Sequence, residues 1–237
     1  MGWNHEDQKR IIVALDYSDT AQAYELVSQL NPESCRLKVG KELFTRGGPE
    51  LVRMIVRDGF DVFLDLKFHD IPVTVARACQ AAADLGVWMI NVHSLGGRRM
   101  MEAAREAVEG VKNPPLLVAV TILTSMDESD LEEVGLPGEA EKNVLRLASV
   151  VKESGLDGVV CSPKEASSVR EQIGEEFLLV TPGVRPFGSS ANDQRRIMTP
   201  SDAIDAGANY LVIGRPITGV ASPAQAIETI NKEILCH

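Results

Sequence analysis

Short runs of apolar residues recur along the whole chain, and between them lie longer segments whose apolar positions repeat with a helical period. A short β-branched run is typical of a buried strand, whereas apolar residues at i, i+3 and i+4 are typical of a helix packed on one face. The predicted strands are Arg10–Asp16, Cys35–Gly40, Asp61–Phe68, Val87–Ser94, Leu116–Leu123, Gly158–Ser162, Phe177–Gly183 and Tyr210–Arg215. The predicted helical segments begin at Thr20, Pro49, Thr74, Arg98, Asn143 and Ser222.

The number of strands and the length of the chain favour one architecture. Eight strands with intervening helices in 237 residues match one (β/α)8 TIM barrel, a single domain with its core at about residues 10–230. A doubly wound open sheet is the alternative, because it also alternates strands and helices, but no G-x-G-x-x-G follows the first strand. The aperiodic stretch Arg185–Arg196 is interpreted as a functional loop of the barrel.

Composition narrows the classes of partner. The 24 Lys and Arg residues against 34 Asp and Glu give a net charge of −10, which repels nucleic acid and anionic membranes at long range. No apolar run approaches the roughly 20 residues that a membrane span requires, and the first ten residues are too polar for a signal peptide. We therefore expect a cytoplasmic protein that binds neither nucleic acid nor membranes.

Metal and redox chemistry have little support in the sequence. The four cysteines stand far apart with no C-x-x-C pair, so they are interpreted as reduced thiols. His69 and His93 fall near predicted strand ends, but no histidine or carboxylate has a neighbour at metal-ligand spacing. We expect no metal, and we interpret both histidines as supporting or packing residues.

Charged residues interrupt the apolar runs near the carboxyl ends of the first three predicted strands, where barrel enzymes place their active sites. Asp16 ends the first strand, Lys38 lies near the end of the second, and Asp65 and Lys67 lie near the end of the third, with Asp70 shortly after. Because strand side chains alternate, residues 65 and 67 point the same way. Their apolar neighbours would face the helices, so both charges are predicted to face the barrel lumen.

Structural interpretations of these residues remain open. A structural ion pair is enough to explain a single Asp-x-Lys pair, because buried charges need partners. Asp70 also fits an N-cap, since proline follows in the first turn of the next helix, and Asp16 fits a strand-end residue held by backbone amides. Two cations and two anions at one end of a barrel nevertheless favour a functional cluster.

A second cluster follows the seventh and eighth predicted strands, where (β/α)8 enzymes commonly bind a phosphate with glycine amides. It comprises Arg185, Gln194, Gly214 and Arg215. The planar guanidinium suits a phosphate because it offers several donors in one plane. Surface ion pairs are the alternative for the two arginines.

These residues resemble the orotidine 5'-monophosphate decarboxylase family, and specifically its bacterial type. The similarity runs in order from about Arg10 to about Ile230. The matching motifs are ALD ending at Asp16, KVG from Lys38, DLKFHDIPVT from Asp65, LTSM from Leu123, TPGVRP from Thr181, DQRRIMTP from Asp193 and VIGRPIT from Val212.

The resemblance implies a homodimeric (β/α)8 barrel that converts orotidine 5'-monophosphate to uridine 5'-monophosphate and carbon dioxide in pyrimidine synthesis, with neither metal nor organic cofactor. Lys67 would donate the proton within a charge network that contains Lys38, Asp65 and Asp70. By the same resemblance, Asp70 and Thr74 would reach into the partner subunit's site.

The resemblance also implies which residues hold the substrate. Asp16 and Lys38 would contact the ribose hydroxyls, and Thr124, or Ser125 beside it, would lie near the pyrimidine. The phosphate would be held by Arg185, Gln194, Gly214 and Arg215.

Two other functions fit part of the pattern. A magnesium-dependent sugar-phosphate decarboxylase or aldolase of related barrels shares the D-x-K-x-x-D motif, although the DQRRIMTP and LTSM motifs argue against it. A catalytically silent barrel that senses a nucleotide is the third candidate. It conflicts with the intact Lys67 and its two flanking aspartates.

Overall fold

The computed structural model describes residues 9–186 and 198–235, and within them eight parallel strands close into a barrel. The strands are β1 Ile11–Ala14, β2 Arg36–Gly40, β3 Val62–Phe68, β4 Met89–His93, β5 Leu116–Val120, β6 Gly158–Val160, β7 Leu178–Pro182 and β8 Tyr210–Ile213. They are paired in chain order, and β1 closes the barrel on β8. The predicted (β/α)8 architecture is confirmed, and the open doubly wound sheet is excluded.

The connections between the strands are largely helical. The helices are α1 Thr20–Val27, α2 Lys41–Arg57, α3 Pro72–Ala83, α4 Arg98–Glu109, α5 Glu128–Glu133, α6 Ala140–Glu153, α7 Ala166–Ile173, α8 Pro200–Asp205, α9 Arg215–Thr218 and α10 Pro223–Leu235. Short 3-10 turns follow β4 at Ser94–Gly96 and β6 at Pro163–Glu165. None of the helices in the described ranges is long and apolar enough to cross a membrane.

Helix α2 begins earlier than its apolar period predicts. It starts at Lys41 and kinks at Gly48, whose backbone has φ 60° and ψ −168°, before the predicted segment resumes at Pro49. Proline accounts for the second start, because its missing N–H and fixed φ suit the first turn of a helix. Glycine adopts the positive φ at this kink without strain because it has no Cβ atom.

The apolar residues form two layers, as strand alternation requires. One cluster fills the lumen of the barrel, and a larger one lies between the strands and the helices. The lumen cluster comprises Ile12, Ala14, Phe63, Met89, Val118, Leu178, Val180, Tyr210 and Val212. Leu64, Leu66 and Phe68 contact the outer cluster, which confirms the predicted orientation of the apolar residues in β3.

The amino-terminal end of the barrel is sealed by a buried cation. The Arg36 guanidinium carbon lies 4.2 Å from the centroid of the Trp88 ring and 5.0 Å from that of Tyr210. Its Nε also lies 3.3 Å from a carboxylate oxygen of Asp61, which Lys9 contacts at 2.8 Å. An ion pair and two aromatic faces thus compensate for the loss of water around this charge.

Gly158 allows strands β6 and β7 to approach each other. A Cβ atom built at this position would lie 2.2 Å from the Leu178 carbonyl oxygen and 2.5 Å from its Cβ. Gly158→Ala is therefore expected to lower the free energy of unfolding by roughly 1–3 kcal/mol, because the strands must separate to relieve the overlap.

Urea denaturation measures this loss, and Gly110→Ala is the matched control. Gly110 ends α4 with φ −75°, and a Cβ there would meet no atom within 4 Å. An unchanged unfolding transition in Gly158→Ala, or an equal loss in both variants, would contradict the packing argument.

Candidate active site

Four of the five charged residues predicted at the barrel mouth form one continuous array of alternating charge. Lys67 Nζ donates to Asp65 Oδ1 at 2.6 Å, and Asp65 Oδ2 lies 3.5 Å from Lys38 Nζ. Lys38 Nζ in turn donates to Asp16 Oδ1 at 3.0 Å. The order Asp16, Lys38, Asp65, Lys67 therefore places each inner charge between two of opposite sign. The structure thus brings Lys38, Asp65 and Lys67 of the predicted network together, with Asp16 rather than Asp70 as the second anion.

Strand register explains why the array faces the lumen. Lys38 stands opposite Ala14 on β1 and Phe63 on β3, and both of these belong to the lumen cluster. Gly40 stands opposite Asp65, and a Cβ at Gly40 would lie 3.1 Å from Lys38 Nζ. The glycine thus leaves the volume that the Lys38 ammonium occupies.

The array keeps the Asp65 carboxyl ionised. Burial by itself would raise the pKa of this carboxyl, because desolvation penalises its charge. The charges of Lys38 and Lys67, with hydrogen bonds from Lys67 and Asn91, outweigh burial, and the pKa of Asp65 lies below its ordinary value of 3.8. Asp65 is therefore a carboxylate at neutral pH.

The backbone at Lys67 departs from a regular strand. Leu64 pairs with Ile90 and Phe68 with Val92, so the register shifts between these two positions of β3. Lys67 has φ 51°, and no other non-glycine residue in the described ranges has a positive φ. Such a backbone costs roughly 1–3 kcal/mol and persists only where its surroundings hold it, which is common at functional sites.

Asn91 is a site residue that sequence reasoning missed. It lies on β4, is fully buried, accepts a hydrogen bond from Lys67 N at 2.8 Å and donates one to Asp65 Oδ1 at 2.7 Å. The signal was present, because Asn91 interrupts an apolar strand on the lumen face. Unlike the predicted residues of the array, Asn91 carries no charge.

Asp70 and Thr74 lie apart from this array within one chain. Both are exposed, and the Asp70 carboxylate accepts a hydrogen bond from Ile71 N at 2.6 Å. No ion pair joins Asp70 to Lys67 in the part of the chain that the structure describes. The N-cap of α3 is Ile71, with Pro72 as its first residue and no side-chain cap. The interpretation of Asp70 as the N-cap is therefore wrong.

The residues predicted to bind phosphate follow β7 and β8. Arg185 is buried, which does not fit a surface ion pair, and its backbone N–H donates to Met198 O at 3.0 Å. Arg215 is exposed at the start of α9. A Cβ at Gly214 would lie 3.9 Å from Asp16 Oδ2, which places this glycine beside the charge array. Gln194 lies outside the described residues.

Two further pairs of residues considered in the sequence analysis lie at or just after strand ends at the same end of the barrel. Thr124 and Ser125 are exposed in the turn after β5.

The rings of His69 and His93 are stacked, with centroids 5.3 Å apart. Burial, followed by the charges of His69, Lys41 and Lys67, lowers the pKa of His93 to about 4. His93 is therefore neutral at physiological pH, as its acceptor contact with Leu95 N at 3.4 Å requires.

Comparison with known proteins identifies the family. The model of the orotidine 5'-phosphate decarboxylase / HUMPS family matches residues 9–230. The chain belongs to this family. The resemblance predicted from the sequence motifs is thus confirmed.

Individual members of the decarboxylase family are similar along nearly their whole length. The orotidine 5'-phosphate decarboxylase of Nitrosococcus oceani is 59% identical, over 96% of this chain and 98% of that protein. The orotidine 5'-phosphate decarboxylase of Nitrosospira multiformis is 61% identical, over 95% and 93%. The crystal structure of the orotidine 5'-phosphate decarboxylase of Lactobacillus acidophilus, 39% identical, matches with a TM-score of 0.86 over 95% of this chain and 99% of that one.

The lowered pKa of His93 predicts an acid-sensitive stability. Between its ordinary value of 6.5 and about 4, the unfolded chain binds more protons than the folded one. The free energy of unfolding should therefore decrease as the pH falls through this window. Asp65 does not contribute in this pH window. Its pKa lies below the ordinary value of 3.8, so the stabilisation by its ionised carboxylate is lost only as the pH falls below about 4 and through that lowered pKa.

Urea denaturation at about pH 7 and about pH 5 tests this expectation. The decrease in unfolding free energy should be smaller in His93→Gln than in the unmodified protein, because glutamine does not titrate. An equal decrease in both proteins would show that other groups cause it.

Proposed function

We propose that the chain decarboxylates orotidine 5'-monophosphate to uridine 5'-monophosphate and carbon dioxide, the last step of pyrimidine nucleotide synthesis, with Lys67 as the proton donor. The observation that carries the proposal is the alternating array at the mouth, which ends on the Lys67 ammonium. Relatives 56–61% identical to this chain are orotidine 5'-phosphate decarboxylases, which supports the reaction and its classification as a carboxy-lyase.

The reaction needs a fixed positive charge beside the pyrimidine ring. Breaking the bond between C6 and the carboxylate releases carbon dioxide and leaves an electron pair in the ring plane, where the ring orbitals do not delocalise it. The Lys67 ammonium stabilises this pair and then transfers a proton to C6, after which the neutral amine takes up a proton from solvent. Asp65, ionised and 2.6 Å away, orients the ammonium.

The remaining site residues bind the rest of the nucleotide in this proposal. Asp16 and Lys38 contact the ribose hydroxyls, and Thr124 or Ser125 contacts the pyrimidine. The phosphate is bound by Arg185, Gln194, Gly214 and Arg215. The position of Gly214 beside Asp16 supports a phosphate next to the ribose that Asp16 contacts in this proposal. The free energy of binding the phosphate can then be used to orient the reacting end of the substrate and to lower its barrier.

The decarboxylation in this proposal requires neither metal nor organic cofactor. The magnesium-dependent sugar-phosphate enzymes remain the second candidate from the sequence, but the relatives reported above give them no support. We also propose a cytoplasmic location, because Cys35, Cys79 and Cys161 are free thiols in the structure, as is usual in a reducing compartment.

Replacing the ammonium tests the mechanism. Lys67→Ala is expected to lower kcat by roughly 10⁴-fold, because both charge stabilisation and proton transfer are lost. Binding of uridine 5'-monophosphate should persist. Loss of orotidine 5'-monophosphate absorbance in the ultraviolet measures turnover, and calorimetry measures binding.

Lys142→Ala is the matched control, because this exposed lysine on α6 contacts only Glu139 among the ion pairs of the described residues. It should retain full turnover. Excess EDTA should leave the unmodified enzyme unaffected. A kcat of Lys67→Ala close to that of the unmodified enzyme would refute the proposed proton donor, and a loss of activity with EDTA that magnesium restores would favour the second candidate.

We propose further that the active unit is a homodimer in which Asp70 and Thr74 complete the partner's site. Ile71 and Val73 are 63% and 51% exposed beside these residues, and Leu95 after β4 is 40% exposed. Large exposed apolar side chains close to each other in sequence, such as Ile71 and Val73, are typical of an interface. Asp70 has no partner in its own array, which supports a role across the dimer.

Mixed dimers of two inactive chains test this arrangement. Lys67→Ala and Asp70→Asn chains carrying different tags should form a dimer with one intact site, so purified mixed dimers should show about half the activity of the unmodified dimer. Lys67→Ala mixed with Asp65→Ala is the control, because both changes fall in the array of a single chain and no intact site results. Mixed Lys67→Ala and Asp70→Asn dimers without recovered activity would contradict the proposal.

A further inference from the structure

Asn91 is linked to both the main chain and the side chain of Lys67. Its Oδ1 accepts the backbone N–H of Lys67 at 2.8 Å, where the register of β3 on β4 shifts. Its Nδ2 donates at 2.7 Å to Asp65 Oδ1, the oxygen that also accepts from the Lys67 ammonium at 2.6 Å. One buried carboxamide is thus connected to the main chain of Lys67 and, through Asp65, to its side chain.

The two contacts fix the orientation of the carboxamide. A backbone N–H is only a donor and an ionised carboxylate is only an acceptor, so the oxygen of Asn91 must face Lys67 N and its nitrogen must face Asp65. Asn91 is fully buried, and Val118 on β5 stands opposite it in the lumen layer. This buried position leaves the carboxamide oxygen and nitrogen to these two protein partners.

The backbone of Lys67 needs such a contact. Its positive φ is unfavourable for a residue with a Cβ, and the shifted register removes this segment from the regular ladder of β3 and β4. Asn91 supplies the acceptor for the Lys67 N–H in that segment. Without it, the peptide can relax towards an ordinary strand, and the ammonium moves with the backbone.

We infer that Asn91 is a positioning residue that fixes the Lys67 ammonium in the geometry needed for proton transfer, through the Lys67 peptide and the Asp65 carboxylate. The inference rests on the proposed role of Lys67. It assigns Asn91 no contact with the substrate. Its loss should therefore lower kcat while leaving nucleotide binding intact.

Asn91→Leu removes both hydrogen bonds at similar volume. We expect kcat for orotidine 5'-monophosphate to fall by about 100-fold, as misplacement of a reacting group by about 1 Å commonly causes. KM and the affinity for uridine 5'-monophosphate should stay close to those of the unmodified enzyme. Where Asn91→Leu is insoluble, Asn91→Ser, which is too short to contact both partners, takes its place.

Asn209→Leu is the matched control for buried hydrogen bonding. Asn209 is also a buried asparagine whose side chain binds a strand amide, accepting from Leu179 N at 2.8 Å, and it contacts Arg170. It precedes β8 at the opposite end of the barrel. This variant should lose thermal stability without a comparable loss of kcat.

Asn91→Asp gives a pH signature that a structural role does not produce. The ionised new carboxylate would repel Asp65, whereas its protonated form can accept from Lys67 N and donate to Asp65, as the carboxamide does. The ratio of its kcat to that of the unmodified enzyme should therefore rise from about pH 8 to about pH 5, while the ratio for Asn91→Leu stays constant. The charged and titratable groups around this position are Lys38 on β2, Asp65 and Lys67 on β3, His69 after β3 and His93 on β4.

The outcomes separate this inference from the proposed function. A kcat of Lys67→Ala close to that of the unmodified enzyme overturns the role of Lys67 and, with it, the role of Asn91. If Lys67→Ala is inactive but Asn91→Leu loses no more kcat than Asn209→Leu, only the inference about Asn91 fails. A constant kcat ratio for Asn91→Asp across the pH range would also overturn it.

Discussion

The mouth of this barrel depends on the cost of removing charge from water. Lys38 and Asp65 are both buried, and each would be strongly destabilising without a partner. They are retained because each inner charge lies between two of opposite sign, from the exposed Asp16 to Lys67. The array is therefore a single electrostatic unit, and its members are not interchangeable with apolar residues of equal size.

That unit needs space as well as charge. Parallel register places Lys38, Asp65 and Lys67 on neighbouring strands, but a side chain at position 40 would crowd the Lys38 ammonium. Gly40 keeps this volume open, and Gly214 lies close to Asp16 across the mouth. Glycines at the strand ends thus leave room for charged groups, rather than apolar side chains, at this end of the lumen.

The two ends of the barrel use buried charge differently. At the amino-terminal end, the buried Arg36 lies against the rings of Trp88 and Tyr210 and beside the carboxylate of Asp61. At the carboxyl-terminal end, Lys67 is partly exposed, and Asp65 is its one carboxylate partner among the residues that the structure describes. A closed end that contributes stability and an open end that holds the reactive groups follow the usual division of function in (β/α)8 barrels.

The sequence by itself determined the eight strands and their closure into a barrel, and it indicated the mouth as the place of the charged residues, although the predicted network contained Asp70 where the array has Asp16. Period-two alternation fixes which residues of a strand share a face, and this was enough to place Asp65 and Lys67 together. Only the tertiary structure revealed the positive φ of Lys67 and the two contacts of Asn91, and it corrected the N-cap of α3 from Asp70 to Ile71. These features depend on how β3 and β4 pair across the barrel, and a shift of register between two strands leaves no trace in the hydrophobic period of either one.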